Sequence, residues 1–156
     1  LQSSPASLLS KVDALEAELK KTNRDLEQVR VEIANQAFKQ KLEDVREVSG
    51  VPVLSAIIPN ADVDALRALA DQFRQKHPSG VVVLGTVIND KPSLIAAVTP
   101  DLISRGLKAG DLIKRVAQVV GGGGGGRPDM AQGGGTNPDG LPAALALAEA
   151  YVSSVA

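Results

Sequence analysis

Val81-Val82-Val83-Leu84-Gly85-Thr86-Val87-Ile88-Asn89-Asp90-Lys91-Pro92-Ser93-Leu94-Ile95-Ala96-Ala97-Val98 is an apolar, β-branched run, a polar turn and a second apolar run. Val81–Ile88 reads as a buried strand. Asn89-Asp90-Lys91 reads as a turn and Ser93–Val98 as a strand returning beside the first, a hairpin with a short loop. On its N-terminal side, Asn60 or Asp62 can cap a helix whose apolar face is Val63, Leu66, Leu69, Ala70 and Phe73, and His77-Pro78 and Gly80 end it. His77 stands at that helix end with no identifiable acid or base partner, so it reads as an exposed helix-end residue rather than a catalytic one. Further upstream, Val51–Ile58 is apolar and β-branched, and Ser49-Gly50 before it is a turn signal. Leu42–Val48 therefore forms a hairpin with it. On the C-terminal side, Thr99-Pro100-Asp101 starts a short helix that Gly106 stops. Asp111–Val120 is helical, with Leu112, Ile113, Val116, Ala117 and Val120 inward. Leu141–Val152 is a last helix, with Leu141, Leu145, Ala148 and Val152 on one side.

Ahead of this mixed region lies a different pattern. No proline interrupts the chain between Pro5 and Pro52, and the first glycine is Gly50. Leu8, Val12, Leu15, Leu19, Thr22, Leu26, Val29 and Ile33 are spaced alternately by four and three, a heptad seam broken by Thr22 alone. Charged residues fill the other faces, and Glu16 and Lys20 are in the favourable order for a helical pair. A straight helix over Leu8–Ile33 is about 39 Å long. So narrow a stripe needs a partner helix. Leu8, Val12, Leu15, Leu19, Leu26, Val29 and Ile33 are the dimerisation residues if that partner is a second copy. They are one arm of a hairpin if it belongs to the same chain. After Gln36 the seam fails. The organisation expected is a helical, coiled-coil-type stalk over residues 1–41 and an α+β globular domain over residues 42–156.

Residues 121–135 hold nine of the chain's fifteen glycines, as Gly121–Gly126 and Gly133–Gly135 around Arg-Pro-Asp-Met-Ala-Gln. Two readings stand. The segment is a flexible linker before the last helix, or it is side-chain-free so that backbone N–H groups of Gly121, Gly122, Gly123, Gly124, Gly125 and Gly126 can approach an anion, with Arg127 beside them. A dinucleotide fingerprint does not fit, because a helix precedes the run and Pro128 follows it. A P-loop needs Lys and Ser or Thr where Arg127 and Pro128 stand. Between Lys91 and Arg127 six basic residues face only Asp101 and Asp111, a local excess of +4. Lys91, Lys108, Lys114, Arg115 and Arg127 are the candidate phosphate contacts.

Composition narrows the function. The chain has 156 residues, 44% hydrophobic and 22% charged, with a net charge of −1. It has no cysteine and one histidine, which excludes disulfides, cysteine nucleophiles and a two-histidine metal site. No nucleophile–base–acid set assembles, so no catalytic residue is assigned and no metal site is expected. Aromatics are 2%, too few for a base-stacking platform. The chain begins with Leu1 rather than Met, as part of a longer or processed protein would. No membrane span or signal peptide is visible, and a reducing, cytoplasmic setting is expected.

The ordered set Val81–Val87, Ser93–Val98, Lys108-Ala109-Gly110-Asp111-Leu112-Ile113, Gly121–Gly135 and Leu141-Pro142-Ala143-Ala144-Leu145 resembles the C-terminal part of bacterial alanyl-tRNA synthetases. Gly124–Gln132 is its most specific piece. The likeness is close over residues 81–152, looser over 42–80, and one of type over 1–41. Here the first glycine run is unbroken where relatives often interrupt it, and Gly133 stands where alanine is common. The resemblance implies a glycine-rich, DHH-associated domain behind a helical segment. It implies no catalytic site in this stretch of a parent alanine–tRNA ligase whose ATP, Mg and Zn chemistry lies elsewhere. It implies contact with the elbow of tRNA(Ala), which helps aminoacylation and editing share one bound tRNA. The remainder of the synthetase is then a partner, and in some members the helical part also dimerises. The alternative is a coiled-coil homodimerisation module with incidental nucleic-acid binding.

Overall fold

The computed structural model describes residues 4–156. It begins with α1, Pro5–Lys41, capped by the Ser4 hydroxyl, which accepts from the Ser7 N–H at 3.2 Å. At 37 residues the helix is about 55 Å long. It continues well past the end of the heptad seam because no breaker intervenes before Gly50. A 3-10 turn over Leu42–Asp44 leads to β1, Arg46–Val48, and β2, Val51–Ile57. These pair antiparallel across Ser49 and Gly50, whose φ angles of 51° and 78° suit a tight two-residue turn. Next come α2, Val63–Lys76, and the hairpin of β3, Val81–Ile88, and β4, Lys91–Val98. That turn is Asn89-Asp90, both at positive φ, and Lys91 already belongs to β4. Then follow α3, Pro100–Ser104, α4, Ala109–Val119, β5, Gly123–Gly126, β6, Met130–Gly134, and α5, Leu141–Val155.

The six strands form one sheet in the order β1-β2-β3-β4-β6-β5. Only β2 and β3 run parallel, joined by α2 as a crossover. Both faces of the sheet centre are covered, which is why Val81–Leu84 reads as an unbroken apolar run. Val81 and Val83 point to the layer of α4 and α5, where Leu112, Ile113, Val116, Leu141, Ala148 and Val152 bury. Val82 and Leu84 point to α2, where Leu66, Leu69, Ala70 and Phe73 bury. The apolar faces expected for α2, α4 and α5 are thus the buried ones, with Val63 only partly covered. Asp62, not Asn60, caps α2, accepting from the Ala65 N–H at 2.7 Å. His77 closes α2 half-buried rather than exposed, because its ring stacks on Phe73, 4.5 Å between centroids.

The stalk joins this body at one end only. Ala34 and Phe38 are the buried residues of α1, and both belong to the α2-side core. The seam residues Leu8, Val12, Leu15, Leu19, Leu26, Val29 and Ile33 are between 40% and 64% exposed, with no cover from the other described residues. Among the described residues no helix is long and apolar enough to cross a membrane.

Candidate nucleic-acid interface

The glycine segment is neither a free linker nor a loop of bare amides. It is a β-hairpin, β5–β6, that completes the sheet by pairing β6 with β4. Its glycines begin as a helix cap. Gly121, at φ 70°, donates its N–H to the Gln118 carbonyl, and Gly122 donates to Ala117, closing α4 in a Schellman arrangement. The amides of these two residues, expected to face an anion, are therefore consumed inside the fold. Further along, the Arg127 N–H donates to the Met130 carbonyl at 3.0 Å, which sets the phase of the β5–β6 ladder. In that phase Gly123 and Gly125 bond to β6, while the peptide groups of Gly124 and Gly126 point to the free edge of β5.

Packing explains part of the run. A Cβ at Gly124 would sit 2.5 Å from Ile113 Cγ2, and one at Gly133 would sit 2.9 Å from the same atom. A Cβ at Gly122 or Gly135 would overlap the carbonyl oxygen of Gly134 or Val120. At Gly110 of α4, a Cβ would sit 3.0 Å from the Gly126 carbonyl oxygen. The helix lies directly on the hairpin because the hairpin carries no side chains on that face and Gly110 none on the helix, which leaves room for Ile113 and Ala117. Gly123 and Gly125 differ: a Cβ on either meets nothing within 4 Å. They share the opposite face with Gln132, the ladder partner of Gly125. Internal packing does not require glycine at these two positions.

That opposite face is open, because α2 covers the sheet centre and stops short of β6 and β5. The result is a recess of about 430 Å³ lined by Arg67, Ile95, Gly125, Gly126, Arg127, Met130, Ala131 and Gln132. Arg67 reaches across from α2 and donates from Nη2 to Gln132 Oε1 at 2.8 Å, with Asp64 at 3.5 Å steadying it. At the hairpin tip Arg127 forms a fork on Asp129, Nε to Oδ1 and Nη2 to Oδ2, each 3.2 Å. Its side chain remains 78% exposed. The tip is held fast. The Pro128 carbonyl accepts from Ala109 and the Asp129 carbonyl from Val98, while Arg74 approaches the Asp129 carboxylate at 3.6 Å.

The sequence-predicted cations do not form one cluster. Lys108 is the N-cap of α4, next to the Ala109 N–H that binds the Arg127–Met130 turn, so it joins Arg127 at the tip. Lys114 stands one helical turn beyond Gly110, on the side of α4 that meets β5. Arg115 turns towards α5, its guanidinium 5.1 Å above the Tyr151 ring. Lys91 lies at the opposite end of the sheet, six residues along β4 from Ala97, which pairs with Met130, so about 20 Å away. Proximity in sequence groups Lys91 and Arg115 with the others, whereas the length of β4 separates Lys91 from the tip and the Tyr151 ring draws Arg115 towards α5. Arg67 is not among the sequence candidates, and Gln132 enters them only as part of the glycine-rich motif. They meet across 65 residues of sequence, a contact that no local pattern signals.

The model of the DHHA1 domain family matches residues 50–154. The chain belongs to the DHHA1 family. Over 146 residues this DHHA1 chain is 48% identical to the alanine–tRNA ligase of Latilactobacillus sakei subsp. sakei (strain 23K), covering 94% of the chain and 17% of that protein. It is also 48% identical over 145 residues to that of Bacillus subtilis (strain 168), with 93% and 16% covered. It therefore spans about one sixth of the length of the curated relatives it matches. Among solved structures, the C-Ala domain from Aquifex aeolicus alanyl-tRNA synthetase superposes with a TM-score of 0.65 at 34% identity, over 70% of this chain and 97% of that one. The DHHA1 chain corresponds to the C-terminal domain of alanyl-tRNA synthetase, as the resemblance of its glycine-rich motif implies.

Proposed function

We propose that this DHHA1 chain is the tRNA-binding module of an alanine–tRNA ligase. In this reading it grips the elbow of tRNA(Ala) through shape and backbone. It thereby lets the aminoacylation and editing parts of the same protein, which are its partners, share one bound tRNA. The observation that carries the reading is the open recess floored by Gly125 and Gly126. Gly125, which packing does not need, lies beside Arg67 and Arg127, so a sugar–phosphate backbone can approach the sheet closely. Lys108 and Lys114 extend the positive rim along the tip and free edge of β5. With 2% aromatic residues, contacts fall on phosphates and riboses rather than stacked bases. Catalysis, ATP and the metal ions belong to the rest of such a ligase, and the setting is cytoplasmic. Arg67→Ala and Arg127→Ala test the site by filter binding to a tRNA(Ala) transcript. Each is expected to weaken binding by about 1–3 kcal/mol, the scale of one charged hydrogen bond. Unchanged dissociation constants for both would remove the recess from the interface.

A further inference from the structure

We propose that Asp129 is the positioning residue of the RNA-binding recess, holding the Arg127 guanidinium so that one fixed edge of it meets a phosphate. The proposal rests on the tRNA-binding reading and names the group that sets its selectivity. Arg127 and Asp129 flank Pro128 at the hairpin tip. They meet as a fork, Nε to Oδ1 and Nη2 to Oδ2, each 3.2 Å. A guanidinium has five N–H donors, and this fork uses two of them. It leaves the two on Nη1 and the second on Nη2, which form the other edge able to clasp a phosphate with paired bonds. The same guanidinium is thus bound inward by Asp129 and presented outward to RNA.

Asp129 is itself fixed. Pro128 restrains the turn before it. Its carbonyl accepts from the Val98 N–H at 3.0 Å and from Arg74 Nη1 at 3.4 Å. Arg74 also approaches its carboxylate at 3.6 Å, and Asp71 steadies Arg74 at 3.7 Å. The Asp129 side chain is 34% exposed, against 78% for Arg127. The long, exposed arginine is therefore the free partner and the short, anchored aspartate the fixed one. Without the fork, a phosphate would have to immobilise the rotamers of Arg127 at the moment of binding. With it, that ordering is already present in the folded chain. The rest of the recess has the same polarity. Its polar side chains are Arg67, Arg127 and Gln132. Arg67 donates to Gln132 Oε1 at 2.8 Å, which leaves Gln132 its two amide N–H donors. Three side chains that offer donors match the acceptor oxygens of a phosphodiester backbone.

Charge and positioning predict opposite signs for one substitution. Asp129→Asn removes a negative charge from an RNA-binding face, and by charge alone every RNA binds more tightly. It also removes the two-oxygen partner of the fork. If Asp129 positions Arg127, the variant weakens binding of the full chain to a tRNA(Ala) transcript by about two- to tenfold, the cost of ordering one long side chain. Binding to duplex RNA of equal length holds or tightens. With Arg127→Ala already in place, Asp129→Asn no longer weakens tRNA binding. A second measurement needs neither RNA. The Arg127 Nε–H proton should exchange with water more slowly than that of the exposed Arg105, and Asp129→Asn should abolish the difference. Unchanged or tighter tRNA binding by Asp129→Asn, a loss that persists in the Arg127→Ala background, or equal exchange in the unaltered chain would each overturn the proposal alone. An unaltered chain that binds neither RNA would sink the tRNA-binding reading and the proposal with it.

Discussion

Two neighbouring residues, Gly124 and Gly125, carry opposite requirements. Gly124 faces Ile113, and a methyl group there meets it at 2.5 Å and the Gln132 carbonyl oxygen at 2.6 Å. Gly124→Ala must move α4 away from the hairpin, and a loss of about 1–3 kcal/mol in denaturant titration is expected. Gly125 faces open space and has no positive φ, so Gly125→Ala should leave stability unchanged or slightly raised. The same substitution roughens the floor of the recess. In the proposed function it weakens tRNA binding while the melting temperature holds. Loss of stability in Gly125→Ala, or none in Gly124→Ala, would show that the assignment of faces is wrong.

At the scale of elements, the start of α3 is a hydrogen-bonded knot with a pH signature. Asp101 accepts from Ser79 and from Thr99, the latter at 2.6 Å, and these bonds hold its carboxyl below the ordinary value of 3.8. Thr99 in turn accepts from the Gly80 N–H at the entrance to β3. A lowered carboxyl contributes stability above 3.8, and that contribution is lost as pH falls through the folded-state value. Asp101→Asn should therefore flatten the fall of melting temperature on the acid side while lowering stability near neutral pH. An unchanged acid limb would contradict this. Elements whose side chains carry a period were legible in the sequence: the apolar stripes of α2, α4 and α5, the cap and proline of α3, the Asn89-Asp90 turn. The β5–β6 hairpin was not, because glycine shows neither alternation nor strand preference. What makes it a strand is the helix against it, Ile113 filling the space where side chains would be. The crossover that sets β2 parallel to β3 was likewise hidden, since both strands read clearly but their pairing depends on where α2 lies.

At the scale of the molecule, the division expected between residues 41 and 42 cuts through a packed contact. Phe38 is fully buried in the α2-side core, although it lies on the helix. Removing residues 1–29 should leave the melting temperature of the body unchanged, since burial in α1 begins at Ala34. Removing residues 1–41 strips Phe38 from the core and should cost about 3–5 kcal/mol, as Phe38→Ala would alone. Equal stability of the two truncations would show that the stalk and body are separate. The rod thus presents an exposed apolar seam, and the body an open face floored by glycine. The most direct measurement is a titration of the chain with a tRNA(Ala) transcript and with duplex RNA of equal length, at low and at physiological salt. The account predicts preference for the tRNA and steep weakening of its binding as salt rises. Equal affinity for both RNAs, or binding to tRNA that does not change with salt, would contradict it.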